Sequence, residues 1–178
     1  MKTKSEFKAK AAEAVALAES LAKQFEDARA AWRRSGYNDD NAYNEYCRIE
    51  REWNIAKRDV DRYTLLASDG PIYANQAFYT DWEPWEVIEI KTDRKLVVRK
   101  MIAEPEPEAT KKLNDSFVPG GFVGHFNNDL QDWVYKSDEN GEVAEIRLHK
   151  DGAYHLAGCS GTRFYLDTKP YKFYDYNF

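Results

Sequence analysis

The chain has 178 residues, 43% of them hydrophobic and 32% charged, which suits one large folded domain or two small ones and excludes disorder over most of the length. The formal net charge of −5 is uneven: residues 1–67 carry 13 Lys or Arg against 12 Asp or Glu, and residues 68–178 carry 13 against 19. So acidic a C-terminal part argues against non-specific binding to nucleic-acid phosphates, which needs a basic face.

Phe7, Ala11, Ala14, Ala18, Leu21, Phe25, Ala28 and Trp32 recur at alternating steps of four and three. Ala42, Tyr46, Ile49, Trp53, Ala56, Val60, Tyr63 and Ala67 do the same. This is the seam spacing of two helices packed side by side. Thr3 and Glu6 have capping-box spacing, Arg33 and Arg34 suit the last turn of the first helix, and Gly36 suits its C-terminal left-handed position. Asp39, Asp40 and Asn41 can cap a second helix, which Gly70-Pro71 stops. Helices over residues 5–35 and 41–68 follow, and so short a link makes them antiparallel neighbours. In that alignment Phe25 meets Trp53, Trp32 meets Tyr46 and Leu21 meets Ala56. One seam leaves Val15, Leu17 and several alanines outside it, so either the β part or a second copy of the chain is expected to cover them.

From Pro71 the period changes to that of strands. Residues 72–79, 85–91 and 95–101 read as strands, the last two joined by a turn at Thr92-Asp93. Glu104-Pro-Glu-Pro-Glu108 reads as an exposed acidic linker, because proline cannot donate within a sheet. Residues 122–126 are expected to restart the sheet after Pro119-Gly-Gly121. Residues 132–136, 143–149 and 153–157 are expected to form a meander through turns at Asn140-Gly141 and Asp151-Gly152, and 162–166 adds a strand. The aromatic end, residues 171–178, is expected to pack on the β body, an edge strand being one form of this. The fold class that results is α+β: an antiparallel, coiled-coil-like helical hairpin over residues 1–69, then a small antiparallel β-sheet or partial barrel over residues 70–178.

Three places in the β part carry a resemblance. They are Tyr79-Thr-Asp81 with Pro84-Trp-Glu-Val-Ile-Glu-Ile90 and Leu96-Val-Val-Arg99; Asn140-Gly-Glu142, Ile146-Arg-Leu148 and Lys150-Asp-Gly152; and Gly161-Thr-Arg163 with the terminal Tyr174-Asp-Tyr-Asn-Phe178. Over about residues 75–178 the chain resembles a group of small uncharacterised phage and prophage proteins with a C-terminal Tyr-Asp-Tyr-Asn/Ser-Phe motif. The resemblance implies an accessory protein of a virus acting inside a bacterial cell. It transfers no functional residue.

Cys47 and Cys159 are isolated, give neither a disulfide framework nor a metal spacing, and are expected to be reduced thiols. The first ten residues are polar, and no stretch approaches the roughly 18 apolar residues of a membrane span, so a cytoplasmic protein with no membrane contact is expected. Cys159-Ser-Gly-Thr-Arg163 is too short for a thiol-phosphatase loop and reads as a turn; its other reading is an anion held by loop amides and Arg163. His149 and His155 flank a tight turn, with His125 and Asp129 the only further ligand suggestions, and surface histidines are the commoner explanation. No Ser-His-Asp order and no phosphate-binding glycine loop is present. No enzyme, cofactor or metal is therefore expected.

Aromatics make up 15% of the chain, more than a core of this size needs. Tyr79, Trp82 and Trp85, around Pro84, are the candidate exposed aromatic patch, although Trp85, which begins the alternation with Val87, reads more readily as core; Arg163 is a candidate anion contact. The leading expectation is a protein that binds a host protein or small ligand through its β part, with an anti-defence role as one form of this. The hairpin would set homo-oligomeric state or reach. A nucleic-acid-binding barrel is the alternative, with Lys91, Arg94, Lys95, Arg99 and Lys100 as its basic stripe. An enzyme with an unrecognised site is the third reading.

Overall fold

The computed structural model describes residues 3–119, 125–159 and 161–177. The chain divides into two compact units, Met1–Asp69 with Lys150–Gly152, and Gly70–His149 with Ala153–Phe178.

In the helical unit, α1 spans Lys4–Arg34 and α2 spans Asp40–Ala67. The capping box forms as the spacing predicts: the Thr3 hydroxyl accepts from the Glu6 N–H, and Glu6 reaches back to the Thr3 N–H at 2.6 Å. Asp39 caps α2 by accepting from Asn41 and Ala42 N–H. Between the helices, Gly36 and Tyr37 both lie at φ 65°, so the reversal needs a second left-handed residue that the sequence does not announce. Leu21, Phe25, Ile49 and Ala56 form the buried seam, flanked by Ala18, Ala28, Tyr46 and Trp53. The Phe25 ring stacks on Trp53 at 4.9 Å and Trp32 on Tyr46 at 5.2 Å. Burying one such side chain stabilises by about 1.5–3 kcal/mol.

In the β unit, the strands are β1 (Tyr73–Ala77), β2 (Trp82–Glu83), β3 (Trp85–Thr92), β4 (Lys95–Lys100), β5 (Ile102–Pro105), β6 (Trp133–Lys136), β7 (Val143–Leu148), β8 (Tyr154–Leu156) and β9 (Arg163–Asp167). All pairings are antiparallel, in the order β1-β3-β4-β7-β8-β9. The sheet then closes on itself, because β1 also pairs with β9 from Tyr73↔Asp167 to Ala77↔Arg163. The result is a six-stranded barrel, with β2 as a short extension beside β1. Closure leaves the barrel strands without open edges. Ala74, Leu96, Val98, Ile146 and Phe164 fill the interior with no exposed surface, beside Trp85, Leu148 and Tyr154.

Three expectations are corrected here. The acidic segment is not a linker: Glu104 lies in β5, and α3 runs over Pro107–Asp115. Pro107 occupies the first turn, where its missing N–H costs nothing, and the Glu106 carboxylate caps the helix from the Ala109 N–H at 2.7 Å. Ala109 and Leu113, one turn apart, bury its apolar face. Second, β6 does not join the meander; it pairs with β5 in a separate two-stranded ribbon, since β7 takes its place beside β4. Third, the C-terminal segment packs on the β unit as expected, but not as an edge strand. Only Phe173 bridges Trp82, and side chains hold much of the rest: the Tyr135 hydroxyl accepts from the Lys172 N–H, Asp81 from the Asp175 N–H, and amides take further backbone groups. Gln131 clamps the Tyr174 backbone with both its amide atoms, and Asn177 does the same to Phe126. Asn75 accepts from the Tyr171 N–H and donates to the Lys169 carbonyl. The strand expected over residues 122–126 lies largely outside the described residues. Among the described residues no helix is long and apolar enough to cross a membrane.

Candidate functional site

On a closed antiparallel barrel, residues directly opposite one another on neighbouring strands point to the same face. Following the pairings outward from β4, Lys95 faces Arg147, Arg147 faces His155, His155 faces Arg163, Arg163 faces Ala77, and Ala77 faces Trp82. This row lies on the outside, because the alternate residues Tyr154, Leu148 and Phe164 fill the interior. Ala77 has a small side chain between two large ones. With strands about 4.8 Å apart, Arg163 and Trp82 stand roughly 10 Å from each other across it.

That gap is the floor of a cavity of about 650 Å³ lined by Ala77, Phe78, Tyr79, Trp82, Gly161, Thr162, Arg163 and Tyr165. Its two lips are loops. One is the β1–β2 turn, closed by the Phe78 N–H to the Asp81 carbonyl at 2.8 Å, which lifts Phe78 and Tyr79 into solvent. Tyr79 is 98% exposed and Phe78 51%. The other lip is the connection into β9. Trp82 meets Tyr165 tilted at 5.6 Å and Tyr171 edge-on at 5.7 Å, and its backbone bridges Phe173. The C-terminal segment therefore braces one wall of the cavity.

Three of the four sequence candidates, Tyr79, Trp82 and Arg163, come together here. Trp85 does not. It is 3% exposed, donates its indole N–H to Gln76 Oε1 at 2.8 Å and meets Phe164 edge-on, so it belongs to the barrel interior. Pro84 separates β2 from β3, and Trp82 lines the cavity while Trp85 faces the barrel interior. Phe78, Ala77 and Tyr165 were missed. Phe78 is adjacent to a candidate, but Ala77 and Tyr165 become visible only with the β1–β9 register.

The Cys159–Arg163 segment gives a partial answer to the anion reading. Cys159 is exposed, and its thiol is held below the ordinary cysteine value chiefly by the Gly161 N–H and then by the Thr162 hydroxyl. Those donors are directed at the sulfur, and Arg163 is the cationic side chain among the described lining residues. Near the cavity, Asp81 Oδ1 accepts the Asp175 N–H at 2.9 Å, and Glu83 pairs with Lys172 and Lys100.

The basic stripe expected on the first β-hairpin is largely neutralised. Arg99 pairs with Glu86 at 2.7 Å, Lys91 with Glu145 at 3.1 Å, and Arg94 donates to the Leu148 carbonyl. His149 and His155 do meet, stacked at 4.3 Å with His155 only 2% exposed, whereas His125 sits in a separate bridge with Val118. Among the described residues no three His, Cys, Asp or Glu side chains are grouped as metal ligands.

Fold and site together define an α+β protein whose closed β-barrel carries an aromatic cavity with one arginine. No protein-family model matches the chain, and neither a curated protein nor a solved structure does.

Proposed function

We propose that this protein works by binding, and that the cavity between the β1–β2 turn and the start of β9 is its recognition site. The observation that carries this reading is the exposure of Tyr79 and Phe78 beside Trp82 and Tyr165, rings that a soluble barrel would otherwise bury. The partner is a host protein or a small ligand. The resemblance of residues 75–178 to phage and prophage proteins supports an accessory role in the cytoplasm of a bacterial host, with interference in host defence as one form. The helical hairpin would add self-association or a second contact through Val15 and Leu17, which α1 leaves exposed.

A single experiment tests the reading. The full chain and its Tyr79→Ala variant are used to capture material from a bacterial lysate, and bound proteins and small molecules are identified by mass spectrometry. Tyr79 touches nothing that the fold needs, so the variant folds normally. A species retained by the wild type and lost by the variant is expected; identical retention by both would reject the site.

A further inference from the structure

The neutral groups of the cavity lining narrow the partner it can take. Trp82, Tyr79 and Tyr165 bring ring faces, with Phe78 beside them and the Ala77 methyl as the floor. The polar ends of the three rings are an indole N–H and two phenol O–H groups, and among the described residues none of these is hydrogen-bonded. No carboxylate and no side-chain amide is among the described lining residues. Arg163 has an interaction of its own, and the Gly161 N–H and Thr162 hydroxyl bond the Cys159 thiol. What the cavity holds ready for a partner is therefore ring surface with unengaged donors on it.

We propose that the cavity docks a proline-rich segment of a partner protein in the left-handed polyproline conformation. Its pyrrolidine rings lie against Trp82 and Tyr165, and its carbonyls accept from the Trp82 indole and the Tyr79 hydroxyl. This rests on the cavity being the recognition site and adds the class of partner. Proline has no N–H, and the polyproline helix makes no internal hydrogen bonds, so such a segment presents apolar rings and carbonyl acceptors alone. An aromatic-lined groove with free donors is its complement. The conformation exists before docking, so little ordering entropy is lost at a site as open as one between two loops. The lengths agree: one turn of three residues rises roughly 9 Å, and the β2 and β9 walls stand roughly 10 Å apart across Ala77. A sugar would want paired donors and acceptors from carboxylate or amide side chains, which the described lining lacks. A nucleic-acid strand would meet the net negative charge of residues 68–178, with 13 Lys or Arg against 19 Asp or Glu.

The chain's 5 tryptophans supply the readout, since each gives one indole N–H signal in a proton–nitrogen correlation spectrum. The full chain is titrated with an end-capped hexaproline peptide. Its all-D mirror image, of the same composition and opposite hand, and a glycine–serine hexapeptide are the controls. Adenosine and a thymidine oligonucleotide represent planar rings and polyanions. The Trp82 indole, assigned by Trp82→Phe, should shift with hexaproline and saturate by about 1 mM, but stay in place with the two control peptides. The Trp85 indole, bonded to Gln76 inside the barrel, should not move and so reports an intact fold. By calorimetry, Tyr79→Ala should weaken hexaproline binding about tenfold through the lost ring. Trp82→Phe, which keeps a ring and loses the N–H, should weaken it about fivefold. Both variants should retain the Trp85 signal.

Three results would overturn the proposal: a Trp82 signal unmoved by hexaproline, equal binding of the mirror-image or glycine–serine peptide, or tighter binding of adenosine or the oligonucleotide. If hexaproline fails while lysate capture still depends on Tyr79, the partner class is wrong and the site stands. If both fail, the site falls with it.

Discussion

In the helical unit, one seam holds two long helices, and the residues that matter recur every three or four positions: Leu21, Phe25, Ile49 and Ala56, with the Trp53 and Tyr46 rings against Phe25. In the β unit, strands distant in the chain must find one another, as β1 and β9 do, and a segment without regular structure is held by the amides of Asn75, Gln131 and Asn177. The first arrangement depends on local apolar contacts. The second depends on topology and on polar side chains that replace missing backbone partners. The difference teaches where recognition is placed. A uniform seam offers its neighbours a repeating surface, whereas the barrel's loops and braces hold dissimilar groups, Trp82 and Arg163, at a fixed separation.

The largest effects should come from the two cores. Phe164→Ala removes a fully buried ring and should cost about 3–5 kcal/mol in urea unfolding, with loss of near-ultraviolet circular dichroism. Phe25→Ala should cost about 3 kcal/mol, read from helical ellipticity at the same urea concentrations. The Trp85 indole signal separates the two: it should move in Phe164→Ala, whose ring lies 5.7 Å away, and hold in Phe25→Ala. Movement in both would mean that the two cores are not distinct.

A middle-sized effect is expected at Gln131. Gln131→Ala frees the Tyr174 N–H and carbonyl and the Trp133 indole, and should cost about 1–3 kcal/mol. Amide exchange at Tyr174 should quicken while exchange within β4 and β7 does not. Unchanged protection at Tyr174 would show that the bridge from Phe173 to Trp82 is sufficient alone.

The smallest effect concerns pH. Arg147, then Lys91, hold the Glu145 carboxyl below the ordinary glutamate value, while Lys4 lowers Asp69 and Arg48 lowers Glu45 in the helical unit. A carboxyl depressed in the folded state stabilises above its unfolded value of about 4, and that contribution is lost as pH falls through the folded value. Glu145→Gln should therefore narrow the difference in melting temperature between pH 6 and pH 3. An unchanged difference would assign acid sensitivity to other carboxyls.

The helices were legible because their signals are local: a period, a capping box and an Asp N-cap. The strands of the first β-hairpin were legible from alternation and a turn. Barrel closure was not, because nothing near Tyr73 in the chain refers to Asp167, its partner in the closing register. Helix α3 was hidden because the prolines were weighed only against a strand, when the Glu106 cap before Pro107 and the Ala109–Leu113 spacing after it describe a helix start. The site was half legible. Tyr79 and Trp82 announce themselves as aromatics around a turn, but the same rule drew in Trp85, which faces the barrel interior. Arg163 was suggested by the Cys159–Arg163 turn as an anion contact, and its position across Ala77 from Trp82 required the register of three strands.

The most direct test sets the two units against each other in one measurement. Retention of lysate components is compared for the full chain, for Tyr79→Ala on the barrel and for Leu17→Ala on the exposed side of α1. The account predicts that the barrel substitution abolishes retention of the specific ligand and that the helical one leaves it intact. Loss with Leu17→Ala and full retention with Tyr79→Ala would contradict it.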